Sequence, residues 1–349
     1  MKLRPLPDNG VIGIIAPSSP VDESRLERGV TYFEQLGYRT HVTASCYKRE
    51  HYLAGDAQTR AAELMELIRN PSIDAVFFAR GGFGSAAMLP LLDYDTIRAS
   101  RKLLAGFSDI TALQWGIYAQ CGYPTVSAGM PATDFGKLSI DPFFEEQFWK
   151  FMKTGRVSCR VETAVLQGYA DGPGESADPA YTAGKGAQNP SQIIEAGEKE
   201  RYDASHTNSP HIRKITGTLL PGTLSVASNL AGTPWFPSVK GSILLLEDVG
   251  ESRHKIEGNL LQAKLGGWFD QCRAVLFGDF APAEKETFPE NPSIDQILKR
   301  TVGETGVPYA SGMPYGHIDR KIPFPVGQEI SLSLGRSVEI SSTDSLFDF

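Results

Sequence analysis

The chain has 349 residues, of which 41 % are hydrophobic and 21 % are charged, a balance that predicts a folded rather than a disordered protein. Its 34 basic and 41 acidic residues give a formal net charge of −7, which argues against a nucleic acid or an anionic membrane as a partner. No apolar run reaches the roughly 18 residues of a membrane span. Four scattered cysteines without a Cys-x-x-Cys pair indicate reduced thiols, and hence a cytoplasmic protein.

The first part of the chain alternates strand patterns with helix patterns. Asp22 and Asp56 precede segments of helical apolar periodicity and are predicted to cap two helices. Such alternation is typical of a mostly parallel sheet with helices on both faces, whose sites lie beyond the carboxyl ends of the strands. Strands are predicted at residues 11–16, 38–45, 74–80 and 102–107, and a further helix at 109–121.

The composition changes at residues 167–209, which are rich in Gly, Ala, Ser, Asn, Pro and Asp and lack apolar periodicity. Because loops of this length are usually functional or disordered, we predict a linker or mobile loop. The predicted domains are an N-terminal α/β domain at 1–155, a linker at 156–213 and a β/α domain at 214–349. In the last domain, strands are predicted at 214–220, 242–248, 274–280 and 307–311, helices at 253–265 and 293–302, and an antiparallel pair at 328–334 and 337–342.

One candidate nucleophile lies between a predicted strand and a predicted helix, in the sequence Gly106-Phe107-Ser108-Asp109. A serine on such a turn presents its hydroxyl, and the N–H of the next residue at the helix start can bind an oxyanion. Asp109 replaces the second glycine of the usual elbow motif. A helix cap provided by Ser108 or Asp109 is the alternative interpretation.

A glycine-rich segment, Arg80-Gly81-Gly82-Phe83-Gly84, follows another predicted strand. Bare backbone N–H groups of Gly81 or Gly82 could supply a second oxyanion donor. Gly82 and Gly84 also match the dinucleotide fingerprint G-x-G-x-x-A. The fingerprint requires an acidic residue at the end of the next strand, whereas that strand leads directly into Ser108, so the cofactor interpretation is weak.

Two further segments supply an acid and a base. Glu247 follows three consecutive leucines at a predicted strand end, where a carboxylate can orient an imidazole. His317 lies in a loop that is rich in Gly and Pro, and histidine is the usual general base near neutral pH. Taken alone, Glu247 is equally consistent with the start of an exposed loop.

Together these segments supply a nucleophile, oxyanion donors, an acid and a base in the chain order Ser, Glu, His, which is the order of α/β-hydrolases. Their order and setting resemble the LD-carboxypeptidase (muramoyltetrapeptide carboxypeptidase) family, which includes the microcin C self-immunity hydrolases. The resemblance covers most of the chain and is carried by residues 12–20, 52–55, 80–84, 106–113, 246–251, 316–317 and 325–327.

The resemblance implies that Ser108 is the nucleophile, Glu247 the charge-relay acid and His317 the base. It implies an N-terminal domain like class I glutamine amidotransferases, a C-terminal swivelling-type β/α domain and a site between them. Family members are commonly homodimers, and we expect the same here. No metal or organic cofactor is expected. Arg80 is a candidate for binding a substrate carboxylate with its guanidinium, and a structural ion-pair partner is the equal alternative.

The activity implied by the resemblance is cleavage of the L,D-amide bond of murein tetrapeptides, releasing terminal D-alanine in cell-wall recycling. The immunity branch provides an alternative, an amide in a peptide–nucleotide antibiotic. Alternatives of other classes are a nicotinamide-dependent oxidoreductase and a non-catalytic binding protein. Three segments depart from the common pattern. Residues 128–131 replace a His-Gly-Pro block, residues 221–224 replace Gly-Gly-Asn-Leu, and the segment 167–209 is unusually long. These departures leave the substrate open, because such loops shape the pocket.

Overall fold

The protein was analysed as a computed structural model, which describes residues 1–162, 166–167, 213–282, 291–335 and 337–349. Most of the predicted 156–213 linker therefore lies outside the described residues.

The described residues form fourteen strands and nine α-helices. The strands are β1 (Val11–Ile15), β2 (Arg39–Val42), β3 (Ala75–Phe78), β4 (Leu103–Gly106), β5 (Thr125–Ser127), β6 (Ser158–Val161), β7 (Leu166–Gln167), β8 (Arg213–Thr223), β9 (Ser242–Val249), β10 (Ala274–Ala281), β11 (Tyr309–Ser311), β12 (Phe324–Val326), β13 (Glu329–Leu334) and β14 (Val338–Ser342). The helices are α1 (Glu23–Gln35), α2 (Ala57–Arg69), α3 (Tyr94–Ser100), α4 (Thr111–Cys121), α5 (Pro142–Thr154), α6 (Leu224–Leu230), α7 (Arg253–Leu265), α8 (Trp268–Gln271) and α9 (Ile294–Thr301).

Six strands form the first sheet, in the order β12-β5-β4-β3-β1-β2. Strands β1 to β5 are parallel to their neighbours, and β12 is antiparallel to β5 at the edge. Every residue of β3 and β4 is buried, as expected for central parallel strands that helices cover on both faces. The predicted parallel α/β arrangement of this part is therefore confirmed.

Eight strands form the second sheet, in the order β6-β14-β13-β8-β9-β10-β11-β7. Its centre, β8 to β11, is parallel. The predicted antiparallel pair at the end of the chain is present as β13 and β14. The chain thus has a mixed α/β fold with two sheets, and the carboxyl ends of β4 and β9 carry the candidate serine and glutamate.

Local side chains explain where the first helices begin. The Asp22 carboxylate accepts a hydrogen bond from the Arg25 N–H at 3.0 Å, and Asp56 accepts from the Thr59 N–H at 2.7 Å. These contacts satisfy backbone donors that have no partner within the first helical turn. Both caps are as the sequence predicts.

Three short strands join sheets that the predicted division does not assign to them. Strands β6 and β7 fall within the predicted linker but pair with β14 and β11 in the second sheet. Strand β12 falls within the predicted second domain but pairs with β5 in the first sheet. Pro325 lies in β12, where the edge position makes its missing N–H tolerable. All three strands are too short for alternation to reveal them, and β12 ties the two halves of the chain together.

Within the described ranges, none of the helices combines the length and the apolar character needed to cross a bilayer.

Candidate active site

Ser108 occupies the turn between β4 and α4. Its φ is +69°, a left-handed conformation that is uncommon for a residue with a side chain. A 3₁₀ turn at Ser108–Ile110 follows, and α4 begins only at Thr111. Neither Ser108 nor Asp109 makes a side-chain cap, so the helix-cap interpretation is wrong. Strained backbone of this kind at a strand-to-helix turn is typical of a nucleophile elbow.

Three side chains that are distant in the sequence form a continuous chain of hydrogen bonds. The Ser108 Oγ lies 3.0 Å from His317 Nε2, and His317 Nδ1 lies 2.8 Å from Glu247 Oε2. The imidazole side chain is 24 % exposed, whereas the glutamate is fully buried. With Nδ1–H donated to the carboxylate, Nε2 is free to accept the serine proton.

The second oxygen of Glu247 also has a partner. The Thr223 hydroxyl, at the end of β8, donates to Glu247 Oε1 at 2.6 Å. The Thr223 N–H in turn donates to Thr111 Oγ1 at 3.1 Å, at the start of α4. A buried carboxylate needs such donors because burial disfavours its charge. Thr223 therefore supports the glutamate and links the two halves of the chain, a role that the sequence analysis missed.

Phe107, immediately before the serine, packs against the imidazole. The two ring centroids are 4.7 Å apart, and Phe107 is buried. The contact restricts the orientations open to His317, which no regular helix or strand supports. The sequence contained the residue but no signal of this contact, because it depends on how the two halves of the chain meet.

The glycine-rich segment lies directly against the elbow. A Cβ on Gly81 would come within 2.7 Å of Ser108 Cβ and 3.0 Å of the Asp109 nitrogen. Gly82 has φ of +120°, and a Cβ there would come within 2.3 Å of Ser19 Oγ. Only glycine at these two positions allows the segment to approach the elbow and Ser19 so closely.

Replacing Gly81 with alanine is expected to lower kcat/KM at least about 100-fold, because the added methyl group would displace the backbone next to Ser108, the candidate nucleophile. Steady-state kinetics of the folded variant tests this. Gly258→Ala is the matched control, since a Cβ there meets nothing within 4 Å and alanine favours the helix α7. Equal loss in both variants would contradict the prediction.

The Asp109 side chain ties the elbow to the glycine-rich segment. Its Oδ2 accepts hydrogen bonds from Ser18 Oγ at 2.6 Å and from the Ser85 N–H at 2.9 Å. The Ser85 hydroxyl donates to the Asp109 carbonyl at 2.7 Å. The aspartate that replaces glycine in the elbow motif is therefore a structural tie, and its backbone N–H lies beside Gly81.

Arg80 is half-buried and contacts backbone rather than a carboxylate among the described residues. Its Nη1 donates to the Pro20 carbonyl at 3.0 Å and its Nε to the Gly81 carbonyl at 3.2 Å. Burial lowers the pKa of its guanidinium, and the charges of Arg25 and Arg49 lower it further. Among the described residues, Arg80 forms no ion pair.

The two acids of the Glu247-Asp248 pair face different partners. Asp248 accepts hydrogen bonds from the Ser225 N–H at 2.8 Å and from the Ser225 hydroxyl at 3.1 Å, at the start of α6. Burial raises the pKa of Asp248 to about 6. A third acid, Asp279, lies beside Gly316, and burial together with the nearby Glu247 charge raises its pKa. Of these three acids, only Glu247 is hydrogen-bonded to the imidazole of His317.

The dinucleotide interpretation of Gly82 and Gly84 is not supported by the local structure. The residues after Gly84 form a 3₁₀ turn, Ser85–Leu91, and not the α-helix whose N-terminus would hold a pyrophosphate. Within the described part of the chain, no three His, Cys, Asp or Glu residues are grouped as metal ligands.

Two family descriptions match this chain. Residues 12–128 match the family described as LD-carboxypeptidase N-terminal domain, and residues 216–332 match LD-carboxypeptidase C-terminal domain. The probable murein peptide carboxypeptidase of Bacillus subtilis is 25 % identical over 342 residues, covering 97 % of this chain and 93 % of that protein. The microcin C7 self-immunity protein MccF of Escherichia coli is 26 % identical over 338 residues, covering 94 % and 92 %.

Solved structures show the same fold. The muramoyltetrapeptide carboxypeptidase from Oxalobacter formigenes superimposes with a TM-score of 0.75 at 24 % identity, covering 96 % of this chain and 99 % of that one. MccF in complex with aspartyl sulfamoyl adenosine superimposes with a TM-score of 0.76 at 24 % identity and full coverage, 100 % of each chain.

The fold and the matched relatives define this chain as a peptidase of mixed α/β architecture. Its family is that of the LD-carboxypeptidases, to which it belongs over both of the family's domains. The family resemblance stated from the sequence is therefore confirmed, and LD-carboxypeptidase is the function that the comparisons support.

Proposed function

We propose that the protein is a serine-type LD-carboxypeptidase that releases terminal D-alanine from murein tetrapeptides during cell-wall recycling. The observation that carries the proposal is the hydrogen-bonded chain from Ser108 through His317 to Glu247. Relatives named murein peptide carboxypeptidase and murein tetrapeptide carboxypeptidase support the substrate class.

The reaction is acyl transfer through a covalent intermediate. Ser108 Oγ attacks the scissile carbonyl while His317 Nε2 takes its proton, and Glu247 stabilises the imidazolium that forms. The imidazolium then gives its proton to the leaving amine of D-alanine. Water, activated by the same imidazole, attacks the ester and releases the shortened peptide. Every proton transfer involves residues of this chain, substrate or water, so no cofactor takes part.

The developing oxyanion would be bound by the N–H of Asp109 and by that of Gly81 or Gly82. The close packing of Gly81 on Ser108 and the Asp109 nitrogen supports this assignment. One donor of this kind typically contributes about 3 kcal/mol to the stabilisation of the transition state.

Arg80 is our candidate for binding the substrate's terminal carboxylate, because it lies next to Gly81, which packs on Ser108, and its guanidinium has no carboxylate partner among the described residues. Arg80→Met is expected to raise KM about tenfold with a smaller change in kcat, as for loss of one charge-assisted hydrogen bond. Exposed Arg98 on α3 provides the control variant Arg98→Met. A KM equal to that of the wild type would exclude the role.

The wider setting completes the proposal. We assign residues 1–155 to a glutamine-amidotransferase-like domain, 156–213 to a linker and 214–349 to a swivelling-type β/α domain, except that β6 and β7 belong to the second sheet and β12 to the first. The protein would act in the cytoplasm as a homodimer on small peptides. The similarity to named carboxypeptidases supports small peptides as substrates.

The main alternative is an amidase of the immunity type. The similarity to MccF, solved with aspartyl sulfamoyl adenosine, favours it. Parallel kinetics on a murein tetrapeptide and on aspartyl sulfamoyl adenosine distinguishes the two activities. A kcat/KM at least tenfold higher for the tetrapeptide is the expected result, and the reverse preference would replace the murein proposal.

A further inference from the structure

His317 lies in a loop between β11 and β12, and three consecutive side chains of that loop contact the N-terminal half. Asp319 forms an ion pair with Lys137, and the Arg320 guanidinium lies 4.2 Å above the centre of the Phe143 ring. Lys321 Nζ lies 2.8 Å from Asp134 Oδ1. The loop that carries the base is thus clamped to the half of the chain that carries the nucleophile.

The three contacts differ in burial. Asp319 and Lys137 are 76 % and 33 % exposed, and such pairs contribute little because water screens them. Lys321 and Asp134 are only 8 % and 6 % exposed. Lys137 Nζ also lies 4.0 Å from the same Asp134 oxygen, but loss of Lys321 removes the closer, buried counter-charge and is therefore expected to be costly.

Asp134 is itself fixed to the first sheet. Its Oδ2 accepts hydrogen bonds from the Met130 N–H and from the Thr133 hydroxyl, each at 2.9 Å. The same short helical turn is tied to the end of β3, because the Ala132 N–H donates to the Ala79 carbonyl at 2.9 Å. Lys321 is therefore attached to a rigid part of the nucleophile-bearing half.

The lysine also reaches the residue next to the nucleophile. Its ammonium lies 4.9 Å from the centre of the Phe107 ring, and that ring packs on the imidazole of His317 at 4.7 Å. Phe107 thus has the lysine cation and the catalytic imidazole as neighbours. The Ile322 N–H donates to the Pro314 carbonyl at 3.0 Å, which closes the loop around His317.

We propose that Lys321, held by Asp134 and packed on Phe107, is a positioning residue that sets His317 at hydrogen-bond distance from Ser108. This inference rests on the proposed serine-peptidase function and goes beyond it by assigning a role to a residue outside the triad. Lys321 does not touch the reacting atoms. It acts by holding the loop that carries His317 at a fixed distance from the turn that carries Ser108. A displacement of about 1 Å between such groups lowers the rate roughly 100-fold.

The test uses three variants of the full chain. Lys321→Met breaks the pair, and Asp134→Asn/Lys321→Met removes both charges, so that no buried charge is left alone. Asp319→Asn is the matched control, because it breaks the exposed pair two residues away. Each variant is measured for kcat and KM, for the rate at which a fluorophosphonate labels Ser108, and for thermal unfolding.

We expect kcat of Lys321→Met to fall about 100-fold with KM within about twofold, and the labelling rate to fall in parallel. In the double variant the unfolding midpoint should return toward that of the wild type, while kcat stays at least about tenfold low. Asp319→Asn should match the wild type within about twofold.

A double variant with wild-type kcat and labelling rate would overturn the inference, since the pair would then stabilise the fold without positioning the base. The labelling rate needs only an activated Ser108 and no natural substrate. A wild-type protein that is neither labelled nor active would therefore overturn the proposed function itself, and this inference with it.

Discussion

Ser108→Ala is expected to lose at least about 10⁴-fold in kcat while the protein remains folded, because alanine removes the atom that forms the acyl-enzyme. Neighbouring groups such as the oxyanion donors would leave a small residual rate. Kinetics with purified protein and labelling by a fluorophosphonate both measure the effect. A variant that retains more than about a tenth of the activity would exclude Ser108 as the nucleophile.

Ser108→Gly provides a matched control for the backbone at this position. It removes the same hydroxyl, but glycine adopts the observed φ of +69° without the penalty of a side chain. We therefore expect the glycine variant to be as inactive as the alanine variant yet more stable by about 1 kcal/mol in denaturant unfolding. An alanine variant as stable as the glycine variant would argue against strain at the elbow.

Glu247→Gln is expected to lower kcat by about 10⁴-fold, an effect of the size seen when a triad acid is replaced by its amide. Both oxygens of the glutamate accept hydrogen bonds, one from the Thr223 hydroxyl and one from His317. A glutamine turns one acceptor into a donor. If the amide NH₂ faces Thr223, the threonine hydroxyl loses its hydrogen-bond acceptor. If it faces His317, Nδ1 must accept a hydrogen bond, and the imidazole proton then lies on Nε2, the wrong tautomer for taking the serine proton.

The neighbouring acid distinguishes this effect from a general loss of buried charge. Asp248 is also buried, but its carboxylate contacts Ser225 and not the imidazole. Asp248→Asn should keep kcat within about threefold of the wild type. Similar losses in the two variants would show that the charge of this strand end, and not the contact to His317, controls the rate.

Local patterns were sufficient for much of the fold. The caps at Asp22 and Asp56 and the pair β13 and β14 are short-range features, which composition and periodicity reveal. Strands β5, β6, β7 and β12 were missed because two to four residues carry no detectable alternation. Their places in the sheets depend on contacts between distant parts of the chain.

The candidate site also contains residues whose place the sequence predicts and residues whose place it does not. Ser108 and Gly81 each follow a strand that the sequence predicts. Their position at the same edge of the first sheet could therefore be expected from the sequence. The meeting of Ser108 with Glu247 and His317 required the family resemblance, because no local signal joins residues so far apart. Thr223 and the contacts of Phe107 and Lys321 arise only when the two halves come together, which no pattern in either half encodes.

The most direct test of the account is release of D-alanine from a murein tetrapeptide ending in diaminopimelate–D-alanine, with Ser108→Ala as the blank. We predict release by the wild type and a rate at least about 10⁴-fold lower for the variant. Equal release by both proteins would contradict the serine mechanism. If the wild type is labelled by the fluorophosphonate but releases no D-alanine, the murein tetrapeptide is not its substrate.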